Sequence, residues 1–253
     1  MSRRRRIEVL GVPVDVLSLD EACEAAASLW AAGGKHHVVT VNPELIMAAR
    51  GSERGAALRE ALAGASLCVA DGIGVVWASK VLGAPLPGRV PGIELAEGLI
   101  ARAAAEGKSL FLLGGRPGVA EEAARRLERR FPGLRVAGTH HGYFDAEAPG
   151  GDEGVEAVAP FDVDLLLVGM GAPRQELWIA RRKEQLRARV MIGVGGALDV
   201  FAGRVKRAPE SLRRAGLEWA YRLATQPWRA RRMTALPRFA AAVLEARWRG
   251  ERA

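Results

Sequence analysis

Four times between residues 66 and 200 a short apolar run breaks off at glycine: SLCVADGIG, SLFLLGGRPG, DLLLVGMGAPRQ and VMIGVGGALD. Most of these runs lead on into a helical pattern. HHVVTVN (36–42) behaves similarly, with Asn42 placed as N-cap and Pro43 at the first helical position of the helix that follows. Strands that alternate with helices in this way predict a mostly parallel sheet covered by helices on its faces. A strand pair around Ile7 to Val16 and a helix from near Leu19 to the stop at Gly33 and Gly34 precede the series. The expected fold is therefore α/β: a Rossmann-like, mostly parallel sheet in two subdomains around a cleft, with a C-terminal helical appendage. The boundary falls at about residue 203, giving a core over 1–202 and a basic appendage over 203–253.

That architecture restricts the chemistry. In open parallel sheets ligands collect outside the carboxyl ends of the strands, where glycine turns bring backbone N–H groups and helix N-termini close to anions. A nucleotide or sugar nucleotide is favoured over a protein ligand. GIGVVW (72–77) and GMGAPR (169–174) lack the third glycine of the dinucleotide fingerprint, which argues against a nicotinamide or flavin enzyme. Thr40 and Asn42, two apart on one strand, share a face. Asn42 can be read as a helix cap alone. Asp71 stops the SLCVA run before Gly72; it reads either as a turn former or as a carboxylate placed to take a proton from an attacking hydroxyl.

Charge is distributed unevenly. Residues 201–253 carry 13 Lys+Arg against 4 Asp+Glu, whereas the remainder is balanced at 24 against 25. At 253 residues the chain can bury a sizeable core. Cys23 and Cys68 show no CxxC or Cys/His spacing, which points to neither a zinc site nor a disulfide framework and favours a reducing cytosol. MSRRRR is followed by Glu8, Asp15 and Asp20, so no signal-peptide apolar region develops, and no apolar run is long enough to span a bilayer.

The segments TVNPELI (40–46), ADGIGVVWASKVLG (70–83), RVPG (89–92), LFLLGGRPGVAEEA (110–123), HGYF (141–144), VGMGAPRQELWI (168–179), GVGGALDVFAGRVKRAP (193–209), GLEWAYRL and QPWRARR (216–232) together resemble the WecG/TagA/CpsF glycosyltransferase family. They run in order from about residue 7 to about residue 235. The resemblance implies inverting transfer of N-acetylmannosamine, or a related hexose or uronic acid, from a UDP-sugar donor to an undecaprenyl-pyrophosphate-linked sugar, in teichoic acid or other surface-polysaccharide synthesis. It implies Asp71 as catalytic base, Thr40 and Asn42 near the donor or acceptor sugar, and Arg89, Gln175 and Asp199 lining the pocket. The family's tail arginines map onto Arg222, Arg229 and Arg232. Arg174 stands where the family has lysine and keeps the charge.

A leaving UDP develops negative charge that something cationic must offset. Asp162-Val163-Asp164 has the form of a metal-binding DxD pair. It precedes LLLVG, however, at the amino end of a strand and on the wrong edge of a parallel sheet, and reads as a solvated strand entry. Arg222, Arg229 and Arg232 are the better phosphate ligands, and no metal or other cofactor is expected. The tail also shows an apolar side (Leu212, Leu217, Trp219, Ala220, Leu223) among arginines. Membrane contact or closure of the active site ranks first, core packing close behind, nucleic acid third. Removing the residues beyond about 203 is expected to leave the fold and abolish catalysis. His140 and His141 lack ligand spacing to another His or Cys and read as structural or peripheral, and Tyr143 as a turn residue or a stacking partner for a base. The expected enzyme is peripheral on the cytoplasmic face of the membrane, with no nucleic-acid partner and its oligomeric state open. The opposing class is a nucleotide-sugar- or nucleic-acid-binding protein without transfer activity.

Overall fold

The computed structural model describes residues 4–51, 53–145, 152–226 and 233–252. The chain opens with an antiparallel hairpin, β1 (Arg6–Val9) and β2 (Val12–Asp15). Its two-residue turn is Leu10-Gly11, both at positive φ (53° and 79°), as a tight hairpin turn requires. Buried Asp15 anchors it. Its carboxylate accepts two hydrogen bonds from the Arg6 guanidinium at 2.9 Å and one from the Cys68 N–H at 2.7 Å.

Then follow α1 (Leu19–Ser28), β3 (His36–Val41), α2 (Pro43–Ala49), α3 (Glu53–Ala63), β4 (Leu67–Ala70), α4 (Ile73–Val81) and α5 (Gly92–Ala105). The second half holds β5 (Ser109–Gly114), α6 (Val119–Arg130), β6 (Arg135–His140), α7 (Glu153–Val158), β7 (Val163–Gly169), α8 (Arg174–Arg182), β8 (Ala188–Gly193) and α9 (Ala197–Phe201). Strands β3 to β8 form one six-stranded sheet in the order β4-β3-β8-β7-β5-β6, and every pairing is parallel. This is the mostly parallel, helix-flanked sheet that the strand–glycine–helix series predicts.

Both faces of the sheet are covered, which explains why the strands read as nearly continuous apolar runs. On one face α1, α5, α6 and α9 pack on Val38, Val69, Leu112, Leu167 and Ile192. On the other, the hairpin, α2, α3 and α4 pack on Val39, Val41 and Cys68, while α8 lies on Leu166 and Met191. The neighbours β3 and β8 therefore send their following helices to opposite faces, α2 to one and α9 to the other. Such a divergence opens a crevice at the carboxyl edge, the place where open α/β sheets bind ligands.

The appendage has two parts. Helices α10 (Glu210–Arg214) and α11 (Glu218–Thr225) cross the carboxyl edge with no fully buried residue. The last helix, α12 (Ala235–Trp248), instead buries Phe239, Val243 and Ala246 in the same core cluster as α2 and α4. Gly74 permits the approach: a Cβ there would lie 2.8 Å from Pro43 Cγ and 3.8 Å from Phe239 Cε1. Because α12 fills core space, the expectation that the fold survives loss of everything beyond residue 203 does not agree with the packing. Asp162 and Asp164 lie at the amino end of β7, as their sequence position suggests. Asp162 pairs with Arg187, and Asp164 accepts from Ser109 and pairs with Arg189. No helix among the described residues is long and apolar enough to cross a membrane.

Candidate active site

A cavity of about 240 Å³ occupies the crevice. Its walls come from the ends of β3 (Thr40, Asn42), β4 (Asp71), β7 (Gly171, Ala172) and β8 (Val194–Ala197), from the first turns of α5 and α8, and from α11 and Leu236 above. Thr40 is buried and donates to the Gly193 carbonyl at 3.4 Å, a long bond that leaves its hydroxyl available at the cavity wall. Asn42 does both things its position allows. Its Oδ1 accepts the Leu45 N–H at 2.9 Å and caps α2, while the residue lines the cavity.

Asp71 follows the last residue of β4, its N–H donating to Val41 O at 2.7 Å. Gly72, at φ 97°, makes the turn into α4 that a side chain would resist. The Asp71 carboxyl is enclosed by protein except where it meets the cavity. Burial pushes its pKa up to about 6, and Glu218 adds to the rise; Arg222, the Gly92 N–H that hydrogen-bonds it, and Arg89 pull the other way. Desolvation wins because, among the described residues, no cation pairs directly with the carboxyl to replace its lost water. The group is thus poised to exchange a proton near neutrality.

Gln175 ties the two neighbouring strand ends together. Its Oε1 accepts from Gly171 N–H and Gly195 N–H, each at 3.0 Å, and its Nε2 donates to Glu176 Oε1 at 2.7 Å. Glu176 is buried, and burial raises its pKa. A Cβ at Gly193 would stand 2.5 Å from Gln175 Nε2, so glycine is required where this amide crosses β8.

Arg222 lines the cavity from α11, held by a 2.6 Å bond to Glu218 one helical turn earlier. Arg89 is near enough to Asp71 to act on it electrostatically but is not among the lining residues. It donates to Arg213 O at 2.7 Å and lies 3.8 Å from Glu218, clasping α10 and α11 onto the core. Glu94 of α5 reinforces the clasp through Arg207 and Arg213. Asp199 sits in α9, half-buried and outside the lining, its backbone carbonyl accepting from Arg204 N–H and Val205 N–H. Arg229, Arg232 and Trp228 lie outside the described residues. Of the site residues named from sequence, the structure thus gathers Thr40, Asn42, Asp71, Gln175 and Arg222 around one cavity.

Sequence reasoning missed Glu44, Glu176 and Glu218, which also line it, and Trp219 of the tail's apolar side joins them there. Glu218 carried a signal, since it stands four residues before Arg222. Among the described residues the cavity then holds four carboxyl groups, Glu44, Asp71, Glu176 and Glu218, against the single guanidinium of Arg222. The N-termini of α2, α5 and α8 line it and add positive potential. Such a site can hold a polyhydroxyl ligand, accept a proton at Asp71 and present positive charge from α11.

The chain matches the profile of the Glycosyl transferase WecG/TagA/CpsF family over residues 7–253. It is similar to proteins named N-acetylglucosaminyldiphosphoundecaprenol N-acetyl-beta-D-mannosaminyltransferase from Staphylococcus aureus strains MRSA252, NCTC 8325 / PS 47 and COL. Each is 38% identical over 241 residues, an alignment that spans 94% of this chain and 92% of the relative.

Proposed function

The chain belongs to the WecG/TagA/CpsF glycosyltransferase family, and from that premise we propose that the cavity transfers N-acetylmannosamine from a UDP-sugar to undecaprenyl-pyrophosphate-linked N-acetylglucosamine in cell-wall polymer synthesis. The observation that carries the reading is Asp71: a carboxyl at the crevice of a parallel sheet, its pKa raised to about 6, with Arg222 and Glu218 of the appendage across from it.

The reaction is a single displacement. The acceptor hydroxyl oxygen attacks the anomeric carbon as Asp71 removes its proton; the bond from that carbon to the UDP oxygen breaks, and its electron pair leaves with the β-phosphate. Attack from the face opposite the leaving group inverts the anomeric centre. Arg222 offsets the charge growing on the pyrophosphate, together with Arg229 and Arg232, and the helix N-termini at the cavity add to it. Thr40 and Asn42 orient the sugars at the wall that Gln175 builds. The chemistry requires no metal in this reading. Loss of activity on chelation that magnesium restores would contradict it.

The acceptor's polyprenyl chain stays in a bilayer, so the enzyme works peripherally on the cytoplasmic membrane face. Support comes from the basic appendage together with Leu217, Trp219, Leu244 and Trp248, which are exposed apolar residues on or beside α11 and α12. Intact protein that failed to float with anionic vesicles containing a polyprenyl lipid would remove this part.

The deciding assay measures UDP release from UDP-N-acetylmannosamine with and without a short-chain polyprenyl-pyrophosphoryl N-acetylglucosamine. Release that needs both substrates is expected. Binding of the donor with no acceptor-dependent release would leave a nucleotide-sugar-binding protein instead.

A further inference from the structure

His140, His141 and Glu153 meet at the end of β6, and none of them lines the cavity. We propose that they bind a zinc-class divalent cation that ties the turn after β6 to the start of α7. One ligand atom from each lies within 4.8 Å of the other two. His140 Nε2 is 3.2 Å and His141 Nε2 3.7 Å from Glu153 Oε1. A tetrahedral zinc ion with bonds of about 2.0–2.2 Å separates its ligand atoms by roughly 3.3–3.6 Å, so modest side-chain adjustments suffice. Imidazole with carboxylate is the donor set of zinc and its neighbours rather than of calcium or magnesium.

The orientation of His140 suits a ligand. His140 Nδ1 lies 2.9 Å from the His141 carbonyl oxygen, which can only accept, so Nδ1 carries the hydrogen. Nε2 is then the ring atom that faces Glu153 Oε1. A cation between them would take both atoms as ligands, and the Nδ1–H···O=C bond is the outer contact that holds a ligating histidine in its tautomer.

Convergence of consecutive histidines needs explanation, because neighbours on a regular strand point to opposite faces. β6 ends at His140. Beyond it the chain turns, and the two ring centroids come to 4.4 Å. Glu153, in the first turn of α7, arrives from the far side of the connecting segment.

The turn and the start of α7 so joined support the wall of the cavity. Arg174, at the start of α8, donates to Gly142 O at 3.2 Å and also bonds Phe144 O, and it is followed by the wall residues Gln175 and Glu176. Asp152, the cap of α7, accepts from Trp178 Nε1 of α8 at 2.8 Å. The role is structural, and it does not depend on the proposed transfer reaction.

Full-length protein without an affinity histidine tag, stripped with EDTA, is titrated with Zn²⁺ by calorimetry and with Co²⁺ by visible absorption. One equivalent is expected, with the absorption of low-coordinate cobalt. His140→Ala and Glu153→Gln, both at partly exposed positions, should each weaken binding by at least about tenfold, and zinc should raise the melting temperature of the parent protein more than that of either variant. Absence of stoichiometric uptake would overturn the proposal, leaving a plain histidine–glutamate contact. So would uptake unchanged in both variants, which would put the ion elsewhere. Because EDTA would empty this site too, the test for a catalytic metal is made on the Glu153→Gln protein.

Discussion

Replacing Asp71 by Asn should inactivate the enzyme and stabilise it. The carboxyl's pKa is raised by burial from 3.8 to about 6, so the folded chain binds this proton more tightly than the unfolded chain. Below pH 3.8 the carboxyl is neutral in both states and costs nothing as a charge. As pH rises through the interval from 3.8 to about 6, the unfolded state ionises first and the folded state loses stability relative to it. Above that interval the full difference remains, roughly two pKa units or at most about 3 kcal/mol. Asn keeps an oxygen for the Gly92 N–H and never ionises. Its advantage should therefore be small near pH 4 and largest at pH 8, where for a chain of this size 1–3 kcal/mol corresponds to about 2–12 °C in melting temperature. Urea or thermal unfolding of both proteins at the two pH values measures it. Acceptor-dependent UDP release should fall by about 10²–10⁴-fold, the usual contribution of a general base. A variant no more stable than the parent at pH 8 would refute burial as the source of the raised pKa, and one with full activity would refute the base.

In the parent enzyme, kcat/KM should decline as pH falls through about 6, because the base must be ionised, and the limb should vanish from the residual activity of Asp71→Asn. Arg222→Ala should lower kcat by about 10²–10³-fold through loss of a transition-state contact to the leaving group; by removing the foremost cation facing Asp71, it should also move the acidic limb to higher pH. Phe239→Ala should cost about 3–5 kcal/mol in urea unfolding, the usual cost of emptying a buried aromatic site. A smaller loss would mean that α12 is peripheral after all.

Much of the site was legible in short stretches of chain. Asn42 and Pro43 announce the start of α2 because a cap bond spans only three residues. Thr40 and Asn42 share a side because strand geometry has a period of two, and Asp162 and Asp164 fall on the amino edge because they precede the apolar run of β7. The crossing of neighbouring strands was not legible. Periodicity says which residues face a layer of helices, but not that β8 inserts between β3 and β7 to bring Gly193–Ala197 beside Thr40. Arg89 looked like a ligand for the cavity and instead clasps Arg213 and Glu218, more than 120 residues further on.

His140 and His141 read as structural or peripheral, and their contact with Glu153 was not legible because it arises only through the packing of α7. The basic tail looked like one appendage, yet α11 roofs the cavity, with α10 clasped beside it by Arg89 and Glu94, while α12 completes the core. Local hydrogen bonds and side-chain periodicity determined the strands, the caps and the edge on which Asp71 stands, since each acts over a few residues of chain. The partners of Arg89, Glu176 and Glu153, and the division of the tail, were decided only when the whole sheet packed, because those contacts join segments whose separation in sequence carries no record of their distance in space.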